Sequence, residues 1–127
     1  MDTAFVIDSS LCNDLDNWNR ILKFVQKLVT FFDVSKPVGR VALIPFSTDA
    51  NVALNFGTLT GNLLNGVEVN KRVSLLKCLG GSRQIATALA LTENKVLTRE
   101  SGMRDNVSRV RKVPVQFEIP LIINPLY

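Results

Sequence analysis

The chain reads as an α/β fold: a mostly parallel central sheet with flanking helices and an antiparallel hairpin at one edge. Three observations predict it. Residues 3–7 and 40–46 are short apolar runs that predict buried strands, the second with the little polar alternation that suits burial on both faces. Between them lies a five-turn amphipathic stretch, a helix placed to cross over between parallel strands. The order strand, helix, strand, strand, helix, helix completes an α/β pattern with at least one crossover. At 127 residues there is room for one domain around one hydrophobic core.

Taken in order, Ala4-Phe5-Val6-Ile7 runs into Asp8-Ser9-Ser10, a buried strand feeding a polar loop. Asn13 and Asp14 offer N-cap oxygens, and Asp16 falls in the first helical turn, where the dipole favours negative charge. Leu15, Trp18, Ile21, Leu22, Val25, Leu28, Val29 and Phe32 then recur at spacings of three and four, with Arg20, Lys23, Gln26 and Lys27 off the stripe. Phe24 and Phe31 widen the stripe and predict a helix covered on more than one side. Pro37 and Gly39 break the chain before the strand at 40–46, and Pro45, which has no N–H, points to an edge or a strand end. Ser47-Thr48-Asp49-Ala50-Asn51 is turn chemistry. Val52, Leu54 and Phe56 alternate with Ala53 and Asn55, predicting a third strand paired antiparallel to the second. Apolar residues from Leu63 to Leu79 predict a helix that Gly80-Gly81-Ser82 ends, and residues 85–97 predict another. In sheets of this kind binding loops lie at the carboxyl ends of the strands, which singles out residues 8–13 and 80–84.

Composition narrows the chemistry. Hydrophobic residues make up 46% and charged residues 20%, a globular balance. The longest apolar stretch, residues 41–46, is far short of the roughly 18 residues of a membrane helix. The chain has no histidine, which removes Ser-His-Asp and Cys-His catalysis and every imidazole zinc site. Cys12 and Cys78 are too few for an all-thiolate zinc site; they either pair in an oxidising compartment or remain as two buried thiols. The net charge of +4 resides in residues 95–112, where six basic residues face Glu100 and Asp105. Such a stretch is a solvated surface or a dock for phosphate, sulfated glycan or an acidic protein. It lacks interleaved aromatics, so nucleic acid is not the expected partner. The turn at Gly80-Gly81-Ser82-Arg83 could cradle a phosphate at a helix start, but it matches neither G-x-x-x-x-G-K-[ST] nor G-x-G-x-x-G and has no evident catalytic base. An enzyme is not expected.

Met1-Asp2-Thr3 leads straight into the first strand, without the basic and apolar regions of a signal peptide. The expectation is a cytosolic chain, or an extracellular one if cut from a longer secreted precursor. The sequon Asn106-Val107-Ser108 is weak support for secretion.

Ala4-Phe5-Val6-Ile7-Asp8-Ser9-Ser10 with the helix behind it resembles the start of a von Willebrand factor type A domain. Residues 40–49 resemble that family's second strand and hairpin, and Leu79-Gly80-Gly81 with Ala88-Leu89 resembles its glycine-rich second loop and following helix. Gly102-Met103-Arg104 and Asn106-Val107 resemble the approach to its fourth strand. The resemblance implies a partial Rossmann-like domain over residues 3–112, followed by a divergent proline-rich apolar tail at 113–127. It also implies a magnesium or manganese site on three loops, a hard cation held by few protein oxygens with one position open to a ligand carboxylate. Asp8 and Ser10 match the first two ligands. Cys12 stands at the third position, where sulfur suits a hard cation poorly. Arg83 falls at the second-loop threonine position, and the third-loop Thr-Asp-Gly has no counterpart.

A degenerate metal-ion-dependent adhesion site follows, with no cofactor expected and weak magnesium or manganese binding as the alternative. Arg83 either pairs with Asp8 in the cation's place, or faces water or a partner carboxylate while Asp8 and Ser10 merely cap the loop. Ser9, Cys12, Gly81, Ser82 and Arg83 are the candidate partner contacts. If the loops lie as the resemblance implies, the two cysteines fall near one sheet edge, where a disulfide is compatible. The function implied is a non-catalytic module of extracellular-matrix or cell-adhesion type, with a matrix or collagen-like protein as partner. The alternative is a truncated or splice-variant domain without binding activity of its own. Three of the five prolines lie in the tail, and Pro114 rules against an ordinary central fourth strand. Incomplete closure of the sheet is expected there.

Overall fold

The computed structural model describes residues 2–31, 34, 39–102, 109–113 and 121–126. Strand β1 (Asp2–Asp8) leads through helix α1 (Leu15–Phe31) to strand β2 (Arg40–Phe46). A single 3-10 turn at Gly61–Leu63 precedes α2 (Gly66–Ser74), and α3 (Ile85–Leu91) runs on into a π-helical turn at Thr92–Val96. A 3-10 turn at Arg99–Ser101 follows, then strands β3 (Arg109–Val113) and β4 (Leu121–Leu126).

The sheet order is β2-β1-β4-β3. β1 and β2 pair in parallel along their whole length, from Asp2 opposite Arg40 to Asp8 opposite Phe46, with α1 as the crossover. Their two faces bury different sets of side chains, as the two-residue period requires. Phe5, Ile7, Val41 and Leu43 face a core with Trp18, Ile21, Val25 and Val29 of α1 and Val69 and Val73 of α2. Ala4, Val6, Ala42, Ile44 and Phe46 face a second core with Phe56, Ala88 and Val96. Burial on both sides is why neither strand alternates with polar residues.

Asp14 caps α1 as its position suggests, its Oδ1 accepting the Asn17 N–H at 3.1 Å. The helix is nevertheless covered on one side only. Phe24 and Phe31 are exposed, and so is Leu15, which correct the expectation of a widely buried helix. The helix at 63–79 is shorter than predicted. Asn65 accepts the Glu68 N–H at 2.9 Å and sets the start of α2, and the chain leaves the helix after Ser74 so that Cys78 can reach Cys12. The helix predicted over 85–97 is continuous, but it widens where Thr92 bonds back to the Ala88 carbonyl.

The edge hairpin is present as two antiparallel bridges, Leu43 to Leu54 and Phe46 to Ala50, and not as the continuous strand predicted over residues 52–56. The ladder fails because the N–H groups of Ala53 and Leu54 both converge on the Leu43 carbonyl, while Pro45 has no N–H to extend it. The tail also departs from expectation. β4 lies antiparallel on β1, with Ala4, Phe5 and Val6 opposite Ile123, Ile122 and Leu121, and so covers the edge that was expected to remain open. Pro125 lies opposite Val110 in β3, beyond the stretch that pairs with β1. Pro114, the sequon and residues 103–108 of the basic stretch fall outside the described residues.

Candidate functional site

The parallel β1–β2 pair delivers two loops to the same end of the sheet. Asp8, the last residue of β1, is buried there. Ser9 is fully buried, and both its N–H (2.8 Å) and its Oγ (2.9 Å) donate to the Phe46 carbonyl at the end of β2. Ser10 folds back on Asp8: its N–H (2.9 Å) and its hydroxyl (2.6 Å) both donate to Asp8 Oδ1. The other carboxylate oxygen, Oδ2, forms an ion pair with Arg83 Nε at 2.5 Å. Side-chain exposure is 28% for Arg83 and 10% for Asp8, so the pair is shielded more than an ordinary surface ion pair. Of the sequence alternatives, the structure contains the one in which Arg83 pairs with Asp8.

The second loop is held from two sides. On one, Cys78 forms a disulfide with Cys12, and the Leu79 and Gly80 N–H groups donate to the Ser9 carbonyl at 3.1 and 2.8 Å. On the other, the Ser82 N–H donates to Thr48 Oγ1 at 3.0 Å and the Gln84 N–H to the Ser47 carbonyl at 2.9 Å. Gly80 and Gly81 lie between these anchors at φ of +71° and +101°, a region other residues rarely adopt. At Gly81 a Cβ would come within 2.5 Å of Thr48 Oγ1, so glycine is needed for space as well.

The structure thus brings Asp8, Ser9, Ser10, Cys12, Gly81, Ser82 and Arg83 together. It adds Ser47, Thr48 and Cys78, which sequence reasoning did not include in the site. Thr48 had a usable signal, since it too follows a strand at its carboxyl end. Leu11 and Leu79 are exposed beside the disulfide and form an apolar margin to the centre.

The donor set does not fit a hard divalent cation. One Asp8 oxygen accepts two hydrogen bonds from Ser10, and the other contacts a guanidinium. Cys12 sulfur is bonded to Cys78. Among the described residues no three acidic, cysteine or histidine side chains come together as a metal-binding group.

The family model of the von Willebrand factor type A domain matches residues 2–113. Von Willebrand factor A domain-containing protein 2 of Xenopus laevis is 28% identical over 109 residues, covering 86% of this chain and 13% of its own. Matrilin-2 of Mus musculus is 27% identical over 117 residues, covering 92% of this chain and 12% of its own. The chain therefore spans a small part of these relatives. Among solved structures, proximal thread matrix protein 1 from the mussel byssus superposes with a TM-score of 0.72 at 16% identity, over 81% of this chain and 27% of that one. Another structure of that mussel protein holds zinc in its MIDAS motif, with the same TM-score and identity.

Proposed function

This chain belongs to the von Willebrand factor type A domain family, and on that premise we propose that it is a non-catalytic protein-binding module of extracellular-matrix or cell-adhesion type that works without a metal ion. The observation that carries the reading is the contact of Arg83 Nε with Asp8 Oδ2 at 2.5 Å. A guanidinium supplies a fixed positive charge and directional donors to the carboxylate, so the first loop is neutralised and ordered by the protein itself. The partner meets a preformed surface: the Asp8–Arg83 pair, the hydroxyls of Ser10 and Ser82, and the apolar margin of Leu11 and Leu79.

The partner is a matrix protein, with collagen-like chains the first to test. Relatives named as matrilins and a byssal thread matrix protein support that class. An extracellular setting agrees with the disulfide, since such bonds persist in oxidising compartments.

The test is binding of the chain to immobilised fibrillar collagen, once in magnesium and manganese and once in chelator. Equal binding in both, lost in Arg83→Ala, is the expected result. Binding that requires the cation overturns metal independence. A thermal melt run under the same conditions checks the cation separately, because a ligand selective for the folded state raises the melting temperature.

A further inference from the structure

We infer that the Cys12–Cys78 disulfide is a redox-sensitive clamp on the binding face, whose reduction releases the segment carrying Leu79 while Arg83 stays seated on Asp8. The functional meaning rests on the reading of these loops as the binding face; the clamp itself does not.

The two loops are joined in two distinct ways. Residues 78–80 are tied to the first loop, by the disulfide and by the Leu79 and Gly80 N–H groups on the Ser9 carbonyl. Residues 82 and 84 are tied to the turn after β2, through Thr48 and Ser47. Gly80 and Gly81, both at positive φ, separate the two sets of ties and form a natural hinge.

Both sulfurs lie against the Ser9 carbonyl oxygen, Cys12 at 3.3 Å and Cys78 at 3.4 Å. As a disulfide they donate nothing to it, and the two N–H groups fill its two lone pairs. Reduction by a dithiol breaks the S–S bond. The reductant supplies two electrons and two protons, leaves two thiols, and closes to its own disulfide. The thiols then bring two S–H donors towards an oxygen already satisfied. They also cannot stay at bonding distance, because non-bonded heavy atoms settle at roughly 3.5–4 Å. The crowding falls on the Leu79 and Gly80 bonds, and the hinge lets residues 78–80 move away. Cys12 and Cys78 are half-buried beside exposed Leu11 and Leu79, so a small reductant can reach them. Reduction would move the apolar margin and leave the charged centre in place, changing the face a partner meets.

Amide hydrogen exchange tests this with no partner present. The oxidised chain is compared with the dithiothreitol-reduced chain and with Cys12→Ser/Cys78→Ser, at a temperature where circular dichroism shows all three folded. Exchange at Leu79 and Gly80 should rise about tenfold, as for the loss of a hydrogen bond of ordinary net strength, with Ser82 and Gln84 unchanged. No rise at Leu79 and Gly80, or an equal rise at all four amides, overturns the clamp. Either of those results leaves the collagen experiment to decide the proposed function independently.

Discussion

Replacing both cysteines by serine, Cys12→Ser/Cys78→Ser, should cost this domain a large share of its stability. The disulfide closes a loop across a sequence separation of 66 residues, with the Cα atoms 5.7 Å apart. Released from that constraint, the unfolded chain gains loop entropy worth about 4 kcal/mol at 25 °C in the chain-entropy treatment. Serine is close to cysteine in size, so the folded state loses little packing and the unfolded state accounts for most of the change. For 127 residues, an unfolding entropy of about 2.1 cal/mol/K per residue converts this to a fall in melting temperature of about 15 °C. Thermal melts followed by circular dichroism read it directly, and the reduced wild-type chain should melt with the double variant. Denaturant melts of the same pair should give a lower midpoint and a steeper slope, because the unfolded chain without the cross-link exposes more surface. A shift below about 4 °C, near 1 kcal/mol for a domain of this size, would refute the reasoning. It would mean that the reduced unfolded chain is already compact across those residues.

Three further outcomes follow from the packing. Gly102→Ala should destabilise by about 3 kcal/mol, combining backbone strain with a lost hydrogen bond. Its φ is +101°, a Cβ there would lie 2.6 Å from Gly57 Cα, and the neighbouring Gly57 N–H to Ser101 carbonyl bond could not survive the shift; urea melts measure it. Leu43→Ala, at a fully buried site, should cost about 3 kcal/mol, whereas Leu15→Ala, 62% exposed on α1, should stay within about 0.5 kcal/mol. Asn65→Ala should cost about 1 kcal/mol by removing the cap of α2, and Asn65→Ser should restore most of it, both read as shifts in the urea midpoint.

Much of the site was legible before any coordinates. A strand ending in Asp8-Ser9-Ser10 and a glycine-rich turn ending in Arg83 identified both loops, because residue type and spacing bear directly on what a loop can bind. The α1 cap at Asp14 and the burial of β2 on both faces were legible for the same reason, since period and capping chemistry are local. Asn65 is legible as well, since an Asn three residues before Glu68 is a helix-start signal, although Leu63 and Leu64 before it extend the apolar pattern past the true start.

Other features depended on how distant segments meet. Whether Arg83 paired with Asp8 or faced water turned on two ties, Ser82 to Thr48 and Gln84 to Ser47, made by residues more than thirty positions apart in sequence. The cysteines were open to pairing or to separate burial until β1 and the chain after α2 arrived at the same end of the sheet. Phe24 and Phe31 fit the apolar stripe, yet they stay exposed, because periodicity shows which residues share a helix face and not how wide a partner covers it. The tail strand is the clearest case. Its prolines argued against an ordinary fourth strand, and β4 meets that objection by running antiparallel, with Pro125 past the end of its pairing with β1. Sequence alone determined the α/β class, the two loops and the residues available to them. Tertiary structure alone decided which of those residues touch, because ion pairs, disulfides and strand neighbours are set by through-space distance, which local pattern does not encode.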